Sequence, residues 1–460
     1  MKKPILKFCI FLFSAVAFSQ AGHIMQGVGS VNMSMGGAAT AQPLDISGAL
    51  HWNPASISVF DDKILKLDVG LFFSSPELNS TVPEFDAMGQ PTGNFFSGTT
   101  EDDRGTSILP ALAFVWGKED SKHTFGASAF GISGFGVTFP ESNSNPINMP
   151  QSMGGFGHIE SDYMLLQVGI TWAYQITDEF SIGVQPNVNY GALELAPNPL
   201  ASPDFPPPFG SGKGYPTSDK ASAIGYGAQI GIFYDTKKGL KLGASYKTNQ
   251  TFGEFTFKNT YLDGTSAPDV DFQMDYPAIA SVGAGYSKGD IDIAVDFRRV
   301  FYENTEGFEA KGWQFAESGP MAGFPTGAVN GFGWKDISIL SVGLQYKGIN
   351  KLPLRFGYTY SSNPIDEELT FFSTPASAII KNAFQFGFSY EVSNTIGIDA
   401  VYHYGDSDGK TSGNLLNPQF ISENNPYGAI PGSEVSYEMT TSMIMVGVRY
   451  TFNKKEVNAE

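Results

Sequence analysis

Seven short segments limit what this chain can fold into: IGIFY at 230–234, LGASY at 242–246, VGAGY at 282–286, VGLQY at 342–346, FGYTY at 356–360, FGFSY at 386–390 and VGVRY at 446–450. Each sets Gly-x-x-Tyr inside an alternating run, and because side chains invert at every residue of a strand, glycine and tyrosine face opposite sides. In QVGITWAY the residues Val168, Ile170, Trp172 and Tyr174 share one face and Gln167, Gly169, Thr171 and Ala173 the other. MIMVGVRYTF likewise separates Ile444, Val446, Val448, Tyr450 and Phe452 from Met445, Gly447, Arg449 and Thr451. One face is bulky and apolar, the other small or polar. A soluble sandwich shows the same alternation; the placement of aromatics and the lengths of connections decide between it and a membrane barrel.

Tyr174, Tyr234, Tyr286, Tyr346 and Tyr390 sit directly before short polar turns, whereas the other strand ends run into long segments such as APNPLASPDFPPPFGSGKGYP. Short turns at one end, long loops at the other and an aromatic girdle beside the turns are the signature of an outer-membrane barrel. Segments near 63–75, 105–117, 122–139, 160–175, 179–195, 221–235, 239–257, 276–287, 290–303, 334–347, 351–362, 380–391, 395–406 and 436–452 give fourteen strands. That even number returns the last strand to the side of the first, as closure without a free edge requires. Charged residues are only 16% of the chain, glycine (53) and phenylalanine (38) are abundant, and no long 3.6-residue period appears. The fold class predicted is all-β: a 14-stranded antiparallel transmembrane barrel over 61–452 with an N-terminal plug in its lumen and a periplasmic tail at 453–460.

The start, MKKPILKFCIFLFSAVAFSQ, has a basic end, an apolar run from Phe8 to Phe18, and Ala17 and Ser19 placed for cleavage before Gln20. It reads as a signal peptide over 1–19, since the run falls short of the roughly 20 residues that span a bilayer. The one cysteine, Cys9, would leave with it, so the mature chain has no disulfide. A net charge of −18 argues against nucleic acid as a partner, which requires a basic surface. Residues 22–59 carry one formal charge, Asp45, and many small side chains, with Gly29, Gly36 and Gly37 able to turn sharply. Such a stretch suits the inside of a barrel better than a periplasmic domain or a free tail.

The stretch DISGALHWNPASISVF resembles the N-terminal hatch motif of the FadL family of outer-membrane long-chain fatty acid and hydrocarbon transporters, with Asn53, Pro54 and Ala55 matching its Asn-Pro-Ala triplet. FGASAFGISGFGVTF, LLQVGITWAYQITDEFSIGV, IGYGAQIGIFYDTKKGLKLGASYKT, YPAIASVGAGYSKGDIDIAVDFRRVFY and WKDISILSVGLQYKGINKLPLRFGYTYSSNPI follow in the order that family shows. The resemblance implies a hatch over 20–60, capture of a hydrophobic solute between extracellular loops, a deeper apolar site in the lumen, and exit through the wall at a kinked third strand. Gly131, Gly134 and Gly136 of TFGASAFGISGFGVTFP would permit that opening, or would merely relieve crowding in a curved wall.

For capture, the loops near 196–220 and 250–275 offer Leu195, Leu200, Phe205, Phe209, Phe252 and Phe255. Lys247, Arg298, Arg355 and Arg449 point inward by parity, where they would meet a ligand carboxylate or pair with lumen acids such as Asp296. Burying a sixteen-carbon chain is worth roughly 12 kcal/mol at about 0.8 per methylene. Release therefore requires the pocket to change shape, and the segment holding His23, Met25 and Val28 is the expected moving part. The histidines, His23, His51, His123, His158 and His403, fit no metal or nucleophile motif, so no enzyme and no cofactor are expected. The expected setting is the outer membrane, as a monomer in contact with lipid and lipopolysaccharide. A water-filled porin and a structural or adhesive barrel are the alternative functions.

Overall fold

The computed structural model describes residues 22–452 apart from 87, 89, 118–120 and 320. The expected signal peptide and tail lie outside the described residues. Fourteen strands form one closed antiparallel sheet: β1 (Lys63–Phe85), β2 (Thr106–Trp116), β3 (His123–Phe139), β4 (Ile159–Gln175), β5 (Phe180–Ala196), β6 (Ala221–Asp235), β7 (Leu240–Lys247), β8 (Ala278–Lys288), β9 (Ile291–Phe301), β10 (Ile337–Tyr346), β11 (Leu354–Ser361), β12 (Asn382–Glu391), β13 (Ile396–Asp406) and β14 (Glu434–Phe452). Each pairs with the next, and the cylinder closes where β1 runs beside β14 from Lys63↔Phe452 to Thr81↔Glu434. Closure leaves no strand edge open to lipid.

Alternation is visible throughout the wall. Ile230, Ile232 and Tyr234 are exposed outward while Gln229 and Phe233 are buried, and Ile444, Val446 and Val448 are exposed while Met443 and Met445 are buried. Tyr234, Tyr286, Tyr346, Tyr390 and Tyr450 ring the short-turn end, outward-facing and exposed.

Two segments depart from the sequence reading. The strand expected over 239–257 ends at Lys247, and Phe255–Thr260 joins Thr217–Ser218 and Ser266–Phe272 in a separate three-stranded sheet among the long loops. Pro91–Glu101, which shows no alternation, pairs with the outer half of β1 from Phe85↔Pro91 to Glu77↔Glu101. Its partner's unusual length, rather than its own pattern, makes it a strand.

Residues 22–60 fill the lumen and are buried almost throughout. They form two short helices, α1 (Ser30–Ser34) and α2 (Ile46–Trp52), then a 3-10 turn at Pro54–Val59. Asp45 caps α2 by accepting from Gly48 N at 3.1 Å, and Asn53 caps the following turn by accepting from Ala55 N at 3.1 Å. Gly36 and Gly37 adopt φ of 67° and 78°, the left-handed region that turns the chain between the helices.

The seven repeat glycines are where this segment rests. A Cβ at Gly231 would fall 2.0 Å from Asn53 Oδ1, at Gly243 2.1 Å from Thr40 O, at Gly357 2.1 Å from Gly36 N and at Gly387 2.5 Å from Ser34 Cβ. A Cβ at Gly343 would meet Met35, whereas at Gly283 and Gly447 it would first meet the wall carboxylates of Asp296 and Asp68, at 2.2 and 2.0 Å, with Thr40 and Ser30 next. The inward glycines thus form a seat for the backbone of the N-terminal segment, and any side chain there would lift it. Gly357→Val is expected to cost about 1–3 kcal/mol by overpacking and to expose a cysteine introduced at Ser34 to thiol-reactive dye, while the protein still migrates as a closed barrel in unheated gels.

Candidate transport path

The ladder between β2 and β3 is incomplete. β2 and β3 are paired only from Ala111↔Phe130 to Trp116↔Phe125, although β3 continues along β4 to Phe139. Pro110, next along β2, has no N–H to give either neighbour. Opposite it, β3 carries a bulge between Gly131 and Ser133. The backbone groups freed at the bulge are taken by the start of the lumen segment: Met25 N donates to Ile132 O at 3.0 Å, Gly134 N to His23 O at 3.1 Å, and Ser133 Oγ to His23 O at 2.9 Å. Ile24 and Ser133 form an antiparallel bridge. A cavity of about 320 Å³ lies at the break, lined by Met25, Phe72, Ile108, Leu109, Phe135, Tyr163, Met164 and Met439 among others.

Behind this point His23 sits in an aromatic nest. Its ring stacks on Phe308 at 4.9 Å and lies within 6.5 Å of Phe135, Tyr163, Tyr276, Tyr302 and Trp334, with Nδ1 2.7 Å from Tyr302 OH. Burial lowers the His23 pKa to about 3, so the ring is neutral at physiological pH. Met25 packs with Met33, Phe72, Val401, Met443 and Met445, and Val28 N donates to Asn32 Oδ1 at 3.0 Å.

At the long-loop end, Ile147, Phe156, Tyr215, Trp313, Phe371 and Phe372 from four different loops line a small apolar groove. Of the six loop residues expected to capture ligand, Leu195, Leu200, Phe252 and Phe255 come together in the buried core, with Phe252 and Phe255 stacked at 6.0 Å. Phe205 is half-buried beside Gly327 and Phe209 is 69% exposed, so these two stand apart from that cluster. The groove residues were not picked out from sequence; the signal present was aromatic pairs such as Phe371-Phe372 inside loops otherwise rich in Gly, Pro and Asp.

Residues 11–453 match the family described as outer membrane protein transport protein (OMPP1/FadL/TodX). The chain belongs to this family. Outer-membrane location and a transport rather than enzymatic role follow from that membership. Its fold is similar to that of the toluene transporter TodX of Pseudomonas putida (18% identity, TM-score 0.66, 94% of this chain and 100% of that one). It is also similar to a FadL homologue of Pseudomonas aeruginosa (14%, 0.67, 94% and 100%) and to the toluene transporter TbuX of Ralstonia pickettii (18%, 0.59, 92% and 99%). No curated protein matches the sequence significantly.

In this FadL/TodX-family barrel, the Asn-Pro-Ala triplet is fixed to the wall: Asn53 Nδ2 donates to Thr40 O at 2.7 Å and to Ile232 O at 3.0 Å, and Pro54 and Ala55 lie against Gly183. The four inward cations divide sharply. Arg298 pairs with Asp296 at 2.6 Å, donates to Gly37 O at 2.7 Å and lies 3.6 Å over the Trp52 ring. Asp296 in turn accepts from Ala39 N and Thr40 N at 2.8 Å each, so this pair anchors the lumen segment. Arg449 meets both oxygens of Glu391 at 2.6 Å, and Arg355 donates to Gln345 Oε1 at 2.6 Å and Ser389 Oγ at 2.7 Å. Lys247 has no carboxylate among the described residues: its one bond is to Gln167 Oε1 at 3.2 Å, with the Tyr276 ring 6.0 Å away. Polar atoms without a protein partner gather around it, namely both ring nitrogens of His51, Arg298 Nε and Tyr276 OH. Burial, then the positive charges of Lys247 and Arg298, hold the His51 pKa well below its usual value.

A second anchor went unread in the sequence. Lys66 on β1 lies 2.8 Å from Asp45 of the lumen segment, 3.0 Å from Asp399 on β13 and 3.7 Å from Asp68, all buried. Asp68 also accepts from Ser30 N at 2.9 Å. Lys66→Met would leave three carboxylates without their shared cation and is expected to destabilise by about 3–5 kcal/mol, read as a lower melting temperature, whereas Lys66→Arg should retain most of the stability.

Proposed function

We propose that the protein takes up hydrophobic solutes passively: extracellular loops collect the solute, the lumen segment shifts at residues 23–28, and the solute leaves through the wall between β2 and β3. The observation that carries this reading is the missing ladder above Phe130, backed by a cavity and stopped from inside, among the described residues, by Ile24 with its neighbours His23 and Met25. Those residues are held by a few hydrogen bonds, which a solute entering the aromatic nest can exchange for apolar contact. Hydrophobic transfer into the bilayer runs downhill, so no energy source is needed. Under this reading Asn53, Pro54 and Ala55 are the fixed end of the hatch, and Gly131 and Gly134 flank the opening.

Pro110→Cys with Gly131→Cys places a thiol pair at the first unpaired register beyond Ala111↔Phe130. Oxidised protein in liposomes should lose uptake and recover it on reduction; uptake indifferent to the bridge would exclude exit at this site, and a large steady ionic conductance would favour a water-filled pore.

Lys247 points to a solute with an anionic head. A buried ammonium without a counter-charge is costly, and a carboxylate there would also meet the unpartnered donors beside it. Lys247→Met is expected to weaken binding of a long-chain carboxylate about 10–100-fold, the worth of a hydrogen bond to a charged group, and to leave toluene binding unchanged, both read by fluorescence competition.

A further inference from the structure

The break in the wall has a fastening on its outer surface. Between the strand Pro91–Glu101 and β2, residues 102–105 cross toward β3: Asp103 N donates to Thr138 O at 2.8 Å, and Thr138 N donates to Asp102 Oδ1 at 2.5 Å. From the same segment the Arg104 side chain passes over β3 altogether. Its Nη1 donates to Ser161 O on β4 at 2.6 Å, and its Nη2 pairs with the Asp162 carboxylate. Asp162 alternates with the buried Ser161 and Tyr163, so it faces outward, and Lys220 Nζ holds its second oxygen at 2.5 Å. Arg104 therefore lies against the outside of β3, tying the second strand of the barrel to the fourth.

The seat for this side chain is Gly136. A Cβ there would fall 1.9 Å from Arg104 Nη1 and 2.2 Å from its Cζ. Gly136 therefore differs in role from Gly131, which stands beside Leu109 and Pro110 with room for a methyl group. Arg104, Gly136 and Asp162 all line the 320 Å³ cavity, together with the outward residues Ile108 and Met164.

We propose that Arg104 is a strap across the extracellular end of the wall opening, and that its pairing with Asp162 through the Gly136 notch determines how bulky a solute leaves sideways. The inference rests on the lateral-exit reading for its consequence, but its geometry does not. A backbone ladder cannot yield without exposing unpaired N–H and C=O groups to lipid, whereas an ion pair between partly exposed side chains can open and re-form at small cost. The strap replaces the former by the latter at the one place where the wall must give. Small solutes pass beneath the closed strap, and larger ones require it to open.

The test uses full-length protein in liposomes carrying nitroxide labels at Ile108→Cys and Met164→Cys, with Arg104→Ala removing the strap and Gly136→Ala evicting it while leaving its charge intact. Barrel closure is checked by gel migration without heating. Both variants should lengthen and broaden the label separation and raise the uptake of a bulky acyl solute relative to toluene by about fivefold, the factor expected from losing one partly exposed ion pair. An unchanged separation, or an unchanged uptake ratio, in either folded variant overturns the proposal. If the separation changes but the Pro110→Cys, Gly131→Cys protein takes up solute equally when oxidised and reduced, the fault lies with lateral exit rather than with the strap.

Discussion

Lipid offers no partner to an unpaired peptide group, and the architecture turns on how this chain meets that demand where its own ladder stops. At the β2–β3 junction the pairing ends after Phe130, beside a bulge in β3, and the residues beyond look inward for partners. They find them in His23 and Met25, the beginning of the segment that fills the lumen. Plug and wall are therefore one hydrogen-bonded system. Removing the plug's first residues from β3 exposes the gap, and closing the gap leaves those residues without partners.

Two kinds of force hold the remainder of the plug. The inward glycines bring its backbone against the wall over most of the circumference, which gives dispersion contact spread over many atoms. Charged anchors then fix particular points: Asp296 with Arg298 grips residues 37–40, and Lys66 with Asp68 and Asp399 grips Ser30 and Asp45. No such ionic anchor is seen among the described residues 22–28, which are held by backbone bonds, methionines and aromatic rings. Ionic and non-ionic attachment of the plug are separated along the sequence in this way.

Much of the barrel was legible because a membrane wall imposes a two-residue period that few other folds need. The Gly-x-x-Tyr repeats revealed the orientation of every strand they mark, and the tyrosines identified the short-turn end. What the repeats did not reveal was why glycine recurred, since its reason lies in Thr40, Ser34 and Gly36, residues some 200 to 350 positions away in the chain. Glycines cluster on the third strand, but the interrupted ladder there also involves Pro110 on the second strand and Arg104 before it. A proline amid strand residues was a local signal that could have been read. The separation of Lys247 from the three arginines was not legible, because it depends on which carboxylates the fold brings within reach. The apolar groove among the loops was missed for a related reason: its aromatics come from four loops whose mutual position no periodicity encodes.

The junction between β1 and β14 has a consequence for assembly. The plug precedes the whole wall in sequence, yet it packs against Gly447 and the methionines 443 and 445 on β14. A cylinder that closed before the leading segment had settled would have to reopen along its longest paired edge to admit it. Packing of residues 22–60 into the lumen and closure of β1 against β14 are therefore coupled, and the edge from Lys63↔Phe452 to Thr81↔Glu434 is the last that can seal.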